Sequence, residues 1–330
     1  MMKIVNFIGV SFSILLSFSI TFSTVIAMGD ISIIDIQKTE KRLKDHVGTL
    51  TQTIGERSVF LPHNLEKTRA YIENFYRNID LPVRCDAYAY GDLTVSNIVA
   101  QIAFSDRPKK HYIIGAHYDS VAGTVGADDN ASAVAVQLET ARLLTMLKDS
   151  HKLDLAVKFV SFPLEEPPTF GTRYMGSSVY AYNALKSKEQ IDGMICLEMV
   201  GYTCHDPGCQ DYPFPLMFFD YPKQGDYIGI VGNFKSRDFA RDLSKAFSKN
   251  PDLPVIKLTV PAGGYLVPSI GLSDHSSFWH RGYKAVMVTD TAFYRNPHYH
   301  RASDTMEKLD YGFMAQLVKS LLFFFLSHNL

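Results

Sequence analysis

The sequence predicts an α/β fold of three layers, in which helices cover both faces of a mixed, mainly parallel central sheet. The first observation is that short apolar segments alternate along the chain with longer segments of helical spacing, an order typical of parallel sheets. The second is a pair of strand-like segments around the turn at Gly91-Asp92, which predicts an antiparallel edge. A composition of 46% hydrophobic and 20% charged residues is ordinary for a globular protein.

Each element follows from its apolar spacing. Leu43, Val47 and Leu50 fall on one face of a helix, and short apolar runs bounded by turn residues predict strands. We expect helices at 33–54, 64–78, 131–148, 173–185, 236–249 and 309–327, and strands at 84–90, 94–103, 111–116, 155–162, 192–199, 227–232, 255–260 and 284–290. Segments 203–224 and 261–283 lack a clear pattern, and long loops in compact domains are often functional.

The N-terminus predicts export. Lys3 precedes a long apolar, Ser-rich stretch with small residues near its end, the pattern of a signal peptide spanning residues 1–27. The mature protein would then be secreted or periplasmic, without stable membrane association. The alternative is a single anchor, since Ile4 to Ala27 is long enough to span a bilayer. The formal net charge of −1 gives no basic surplus for nucleic acid.

The four cysteines permit a disulfide in an exported protein. Cys204 and Cys209 flank the turn at Pro207-Gly208, and we predict that they are bridged. Cys196 lies in an apolar strand, so we predict a buried free thiol there.

Acidic and histidine side chains follow four of the predicted strands. In open α/β sheets, ligands bind beyond the carboxyl ends of the strands. The run HYDSVAGTVGADDNAS, residues 117–132, follows one strand, and Glu165-Glu166 follows the next. Glu198 ends a third strand, and His298-Tyr299-His300 comes after a fourth. We expect these side chains to meet at one edge of the sheet.

The donor set favours a metal centre. Five side chains supply N and O donors without a nearby cysteine, a mixture that suits Zn²⁺ and, less selectively, Mn²⁺ or Co²⁺. Two metals bridged by one carboxylate would use all five, each metal taking a histidine and a further carboxylate. The five are His117, Asp129, Glu166, Glu198 and His300.

Neighbouring residues suggest supporting roles. One carboxylate of the Glu165-Glu166 pair would bind metal, and the other would accept a proton from water. Asp119 lies two residues beyond His117, where it could hold the imidazole N–H. The alternatives are a solvated surface pair for Glu165-Glu166 and a helix N-cap for Asp128-Asp129-Asn130, and one Asp could bind metal while its neighbour caps the helix.

Two further sets are candidates for the substrate cleft. Asp274 and His275 could line it, with a capped turn as the alternative. Phe170, Tyr265 and Phe278 could form walls of the specificity pocket, or belong to the core.

The ordered motifs HYDS, GADDNAS, the Glu-Glu pair, LEMVGY, SDHSSF and YHRASDT resemble those of the M28 family of zinc peptidases. The resemblance runs from about Gly55 to the last helix. It implies the zinc exopeptidase, or phosphorylase/hydrolase-like, fold in one domain over 28–330, with residues 28–80 forming a helical segment packed on it. The family includes secreted bacterial leucyl aminopeptidases, so peptide or protein N-termini are the implied substrates.

The resemblance also implies roles for single residues. His117 and Glu198 would hold one of two zinc ions, Glu166 and His300 the other, and Asp129 would bridge both. Glu165 falls on the general base, and Tyr299 resembles a tyrosine that stabilises the oxyanion in some members. The family often has Asp where this chain has Glu198, whereas a bacterial subgroup has Glu within LEMVGY.

Two other functions compete with an aminopeptidase. Glutaminyl cyclases share the fold, and their single zinc would use the residues matching Asp129, Glu166 and His300. A non-catalytic binding protein on the same fold is the second alternative. Such proteins lose metal ligands, whereas all five are present here.

Overall fold

The structure is a computed structural model that describes residues 34–213, 221–260 and 267–328. The predicted signal peptide at 1–27 lies outside the described residues and stays a prediction. Residues 36–330 form one compact unit. Among the helices of the described residues, none is long and apolar enough to cross a membrane.

One eight-stranded sheet organises this unit, and each predicted strand is present within one residue of its expected bounds. The strands are β1 (Val83–Tyr90), β2 (Leu93–Ala103), β3 (Lys110–His117), β4 (Leu155–Phe162), β5 (Gly193–Glu198), β6 (Ile228–Asn233), β7 (Val255–Val260) and β8 (Ala285–Thr289). Their order across the sheet is β1-β2-β4-β3-β5-β8-β6-β7.

The middle of the sheet is parallel. β3 pairs in parallel with β4 and β5, and β5 pairs in parallel with β8. The predicted antiparallel hairpin of β1 and β2 lies at one edge. β6 runs antiparallel to β8, a reversal that the alternation of strands and helices did not predict. Because β4, β3, β5 and β8 share a direction, their carboxyl ends meet at one edge of the sheet.

Helices cover both faces, which confirms the three-layer prediction. The helices are α1 (Ile36–Gly48), α2 (Pro62–Asn78), α3 (Ala133–Leu147), α4 (Gly176–Lys186), α5 (Arg237–Phe247), α6 (His275–His280) and α7 (Tyr311–Leu326). Helices α1, α3, α5 and α7 pack together on one face, and α4 packs with α6 on the other. The apolar run of α7 at 321–326 is buried throughout, as expected of the inner face of a last helix.

Two helix predictions need correction. The helix expected at 33–54 is an α-helix only as far as Gly48, and Thr49–Ile54 form a wider, π-helical turn. Helix α6 lies inside the segment 261–283, which lacked a clear pattern, because its six residues are too few to show a helical period.

Gly115 of β3 lies close to side chains of the two neighbouring strands. A Cβ added to Gly115 of β3 would lie 2.6 Å from Met194 and 2.7 Å from Phe162. Phe162 in turn packs with Tyr180 of α4 and Phe278 of α6 in the core. A side chain at position 115 would therefore displace its neighbours in the strand that leads to His117.

The disulfide between Cys204 and Cys209 is present, as predicted. Cys85 and Cys196 are free, and Cys196 is buried. We therefore expect a thiol titration of the denatured, unreduced protein to find two free groups. Four free thiols would contradict the bridge, and a parallel titration after reduction provides the full count.

Candidate metal centre and active site

The candidate ligands converge at the carboxyl edge of the central strands. His117 is the last residue of β3, and Glu198 is the last residue of β5. Glu165 and Glu166 follow β4, and His300 follows β8 after a loop. Four of the five predicted ligands are buried, and His300 is partly exposed. The strand-end argument therefore placed these side chains at the correct edge.

Asp129 lies between the two histidines. Its Oδ1 is 3.3 Å from Nε2 of His117, and its Oδ2 is 3.2 Å from Nε2 of His300. Each histidine has a second carboxylate neighbour, because Glu198 Oε2 lies 3.5 Å from His117 Nε2 and Glu166 Oε2 lies 3.2 Å from His300 Nε2. This arrangement has the pairing expected of two metals that share one carboxylate.

Negative charge exceeds positive charge in this cluster. Burial raises the pKa of Glu166 to about 8, and the charge of Asp129 adds to the effect. Burial also raises the pKa of Glu165. For His117, burial opposes protonation, but the charges of Glu198 and Glu165 raise its pKa above the usual value. Carboxylates and imidazoles packed this closely need a cation or bound protons to be stable.

The donor atoms of the cluster fit a bound metal ion. Both ring nitrogens of His117 and Oε1 of Glu166 are buried without a hydrogen-bond partner. Donor atoms of His117, Asp129 and Glu166 lie within 4.8 Å of one another, a group that spans both predicted pairs. Buried polar atoms without partners are rare in proteins, so these donors fit a bound ion such as Zn²⁺.

Asp119 organises the Glu165-Glu166 segment. Its carboxylate accepts the N–H of Glu165 at 3.1 Å and that of Glu166 at 3.0 Å. Its Oδ1 lies 3.5 Å from Nδ1 of His117, which is longer than a hydrogen bond. Asp119 therefore lies close to the His117 imidazole without a hydrogen bond to it. Its hydrogen bonds go to the backbone N–H groups of Glu165 and Glu166. The pair is buried, so the solvated-pair alternative is wrong.

The GADDN loop is fixed by neighbours instead of by helix capping. Oδ1 of Asp128 accepts the N–H of Gly201 at 2.9 Å, and Oδ2 accepts the Asn296 amide at 2.7 Å. Helix α3 begins after Ser132 without a side-chain cap. The capping alternative, and the idea that one Asp binds metal while its neighbour caps the helix, are therefore wrong for Asp128.

Sequence reasoning missed Asp304, although it lies in the motif YHRASDT. Its carboxylate accepts the N–H of Asp128 at 2.9 Å and that of Asp129 at 3.1 Å. This contact ties the loop after β8 to the backbone of Asp129. A signal was available, because an acidic residue four positions after His300 can return to the same edge of the sheet.

His300 and Tyr299 lie at the open side of the cluster. The backbone of His300 is in the left-handed region at φ 56°, a conformation that non-glycine residues adopt at a cost and that often occurs at functional sites. The Tyr299 ring stacks on the imidazole with centroids 3.8 Å apart. Burial raises the pKa of Tyr299, so its hydroxyl stays protonated and can donate a hydrogen bond.

Ser273 is a second residue that the sequence did not assign. Its hydroxyl donates to Oε2 of Glu198 at 2.6 Å. The next two residues, Asp274 and His275, are fully buried, and Asp274 makes no side-chain cap at the start of α6. The capped-turn alternative is therefore wrong, and neither residue lines the cavity described below.

His275 gives a testable pH dependence. Burial lowers its pKa from 6.5 to about 4, while its Nε2 lies 2.7 Å from the Ile270 carbonyl oxygen. Between pH 6.5 and about pH 4 the unfolded chain binds more protons at His275 than the folded chain does. The free energy of unfolding therefore falls as the pH falls through this window. We expect this residue to contribute a loss of about 3 kcal/mol across that window.

The measurement is denaturant unfolding of the zinc-free protein from pH 7 to pH 4, compared with His275→Gln. The glutamine amide can still donate to the Ile270 carbonyl, but it does not titrate. The wild-type curve should fall more steeply than that of the variant, and parallel curves would contradict the assignment.

An apolar cavity, partly open to solvent, adjoins the cluster. Glu198 and Tyr299 belong to both the cluster and the cavity wall. The other aromatic walls are Tyr212, Tyr221, Tyr227, Phe293 and Tyr294. Of the three predicted walls, Phe278 lies in the core, which was the alternative, and Phe170 does not line this cavity. Tyr265 lies outside the described residues and stays a prediction.

Fold and site together define a class of zinc-dependent hydrolases that includes aminopeptidases. The model of Peptidase family M28 matches residues 97–324. The chain therefore belongs to peptidase family M28. A relative from Escherichia coli strain K12, the uncharacterized protein YfbL, is 37% identical over 290 residues, and the match covers 86% of each chain.

Solved structures show the same fold. The LapA aminopeptidase of Legionella pneumophila is 20% identical with a TM-score of 0.65, over 90% of this chain and 74% of that one. BSAP, a zinc aminopeptidase from Bacillus subtilis, is 16% identical with a TM-score of 0.63, over 86% and 93%. The glutaminyl cyclase of Fimbriiglobus ruber is 18% identical with a TM-score of 0.63, over 87% and 94%. At these identities the likeness concerns the fold.

Proposed function

We propose that this protein is a zinc-dependent aminopeptidase that hydrolyses the N-terminal peptide bond of peptides or proteins. The observation that carries the proposal is the position of Asp129, which turns one carboxylate oxygen toward each histidine of a cluster bordering an apolar cavity. Aminopeptidase relatives and neighbours support the same class of substrate.

His117 and Glu198 would hold one zinc ion, Glu166 and His300 a second, and Asp129 both. Zinc bound there would supply Lewis acidity, which polarises a carbonyl group and makes water a better nucleophile at neutral pH.

Glu165 would serve as general base. Its Oε2 lies 3.8 Å from His117 Nε2, beside the ligands but outside the two pairs around Asp129. There it can accept a proton from the attacking water and return it to the leaving amine. The buried backbone contact with Asp119 holds this carboxylate at the cluster. Tyr299, whose hydroxyl stays protonated because burial raises its pKa, would donate a hydrogen bond to the developing oxyanion.

The cavity would receive the side chain of the N-terminal residue. Its aromatic walls border Glu198 and Tyr299, which supports a role for this apolar surface in holding that side chain. We therefore expect large apolar N-terminal residues to be preferred over charged ones, because burial of an unpaired charge in such a cavity is costly.

The test is a panel of aminoacyl and N-terminally blocked chromogenic substrates. Each would be assayed before chelation, after chelation and after zinc is restored. Zinc-dependent release from free-amine substrates alone supports the aminopeptidase. Release from blocked substrates, or release that chelation leaves unchanged, would contradict it.

A glutaminyl cyclase is the second candidate, supported by the structural likeness to such an enzyme. Asp129, Glu166 and His300 lie together as a single zinc would need. The pairing of His117 with Glu198 favours the peptidase, because one-metal chemistry leaves that pair unused. Ammonia release from an N-terminal Gln peptide, without cleavage of the chain, would favour the cyclase.

We also propose that the chain is exported and that the leader is removed after Ala27. The support is the apolar, Ser-rich sequence of residues 1–27. N-terminal sequencing of the protein recovered outside the cytoplasm tests this, since an intact leader would support the anchor.

A further inference from the structure

Arg57 is a large charged side chain in the interior, with 1% of its surface exposed. Its guanidinium donates to backbone carbonyl oxygens from several parts of the chain. The acceptors are the carbonyls of Tyr118 (2.9 Å), Leu50 (3.3 Å), Gly55 (3.2 Å), Val125 (2.6 Å) and Gly126 (2.9 Å). Arginine suits this task because its planar group presents five donors in a rigid fork, whereas lysine offers three donors at one point.

Three of these acceptors belong to one segment, which we call loop 118–126. Residues beside Arg57 hold the same loop. The Arg57 N–H donates to the Ser120 hydroxyl at 3.0 Å, and Oε2 of Glu56 accepts the N–H of Gly123 at 3.0 Å. The Asn64 amide of α2 fixes Glu56 in turn, by donating to its carbonyl at 2.9 Å. The segment before the sheet therefore forms hydrogen bonds with both ends and with the middle of loop 118–126.

Loop 118–126 connects the candidate ligands. It begins directly after His117, and it includes Asp119, which accepts the N–H groups of both Glu165 and Glu166. It ends three residues before Asp129. At this end Gly126 adopts φ 53°, and a Cβ there would lie 2.1 Å from the Asp129 carbonyl oxygen. A shift of this loop would consequently move four of the proposed catalytic and metal-binding side chains relative to one another.

We propose that Arg57 is a positioning residue for metal binding and catalysis, and that its guanidinium sets the relative placement of His117, Asp129 and the Glu165-Glu166 pair. The inference rests on the proposed metal centre and extends it to a part of the chain that precedes the family match at 97–324. Arg57 touches neither metal nor substrate; it acts through the carbonyls of loop 118–126.

The test compares Arg57→Lys and Arg57→Ala with the full-length wild type. The readouts are zinc affinity by competition with a colorimetric chelator, kcat and KM at saturating zinc, and the unfolding temperature of the zinc-free protein. The matched control is Asn250→Ala, which removes a buried amide that donates to the Gln316 carbonyl and the Ser320 hydroxyl, both at 3.0 Å, between the end of α5 and α7.

For Arg57→Lys we expect zinc affinity to fall about 10–100-fold, the range for groups that orient metal ligands. At saturating zinc, kcat should fall while KM changes little, because the cavity walls come from later parts of the chain. Asn250→Ala should lower the unfolding temperature and leave zinc affinity unchanged. For Arg57→Ala, guanidinium at non-denaturing concentration should restore part of the zinc affinity, and sodium chloride of equal ionic strength should not.

Wild-type zinc affinity in Arg57→Lys would overturn the proposal. So would a loss of affinity in Asn250→Ala equal to that in Arg57→Lys, since general destabilisation would then explain both. If Arg57→Ala does not fold, Arg57→Lys alone decides. A wild type that binds zinc but cleaves no substrate would refute the aminopeptidase, and the affinity comparison would still decide the role of Arg57.

Discussion

Glu165→Gln should retain zinc and lose nearly all turnover. Glutamine has the shape of glutamate and preserves the backbone contact with Asp119, but it cannot accept the proton of the attacking water. General-base catalysis contributes about 10²–10⁴-fold, so we expect kcat to fall by that factor. Metal analysis after dialysis and steady-state kinetics on a free-amine substrate provide the two measurements.

A matched control is Glu189→Gln. Glu189 is partly buried and pairs with Lys158 at 2.7 Å, away from the cluster, so its amide variant should turn over like the wild type. Retained activity in zinc-loaded Glu165→Gln would refute the base assignment. Loss of zinc in this variant would instead make Glu165 a ligand.

Asp129→Ala should lose zinc itself. Asp129 is the residue that approaches both histidines, at 3.3 Å and 3.2 Å, and burial alone would raise its pKa. The adjacent imidazoles of His117 and His300 outweigh burial and hold the pKa of Asp129 below its usual value, so the carboxylate is ionised and can bind a cation. We expect zinc affinity to fall by more than the roughly 10–100-fold seen for groups that only orient ligands.

Asp192→Ala is the control for this substitution. Asp192 accepts the N–H of His111 at 2.8 Å near the opposite edge of the sheet, so its removal should cost stability and leave zinc affinity unchanged. Equilibrium dialysis with metal analysis compares the two. An Asp129→Ala protein that still binds two ions per chain would contradict the bridging role.

The strands and the edge at which the ligands gather were predictable because both follow from local rules. Apolar runs give buried strands, and the carboxyl ends of parallel strands share an edge, so His117 and Glu198 could be placed at one edge without coordinates. Their pairing at one metal was implied by the family resemblance alone. The antiparallel pairing of β6 with β8 was not predictable, because the alternation of strands and helices does not specify how the chain re-enters the sheet after β5.

The roles of the supporting residues could not be predicted from the sequence. Arg57 and Asp304 act on backbone groups far along the chain, and hydrogen bonds of that kind leave no periodic signal. The cavity walls come from several strands and from loops far apart in the sequence, so aromatic residues near a motif were a poor guide. Phe278, one such guess, is turned into the core by helix α6.

The distribution of the proposed ligands along the chain has a consequence for biosynthesis. The ribosome makes His117 long before His300, and the carboxylate of Asp129 lies beside both. A chain that lacks β8 and the loop after it would keep four of the five proposed ligands and would lose His300. The proposed His300 and Glu166 pair would then stay incomplete until the loop after β8 has been made, so we expect two-metal chemistry only from a chain that includes this loop.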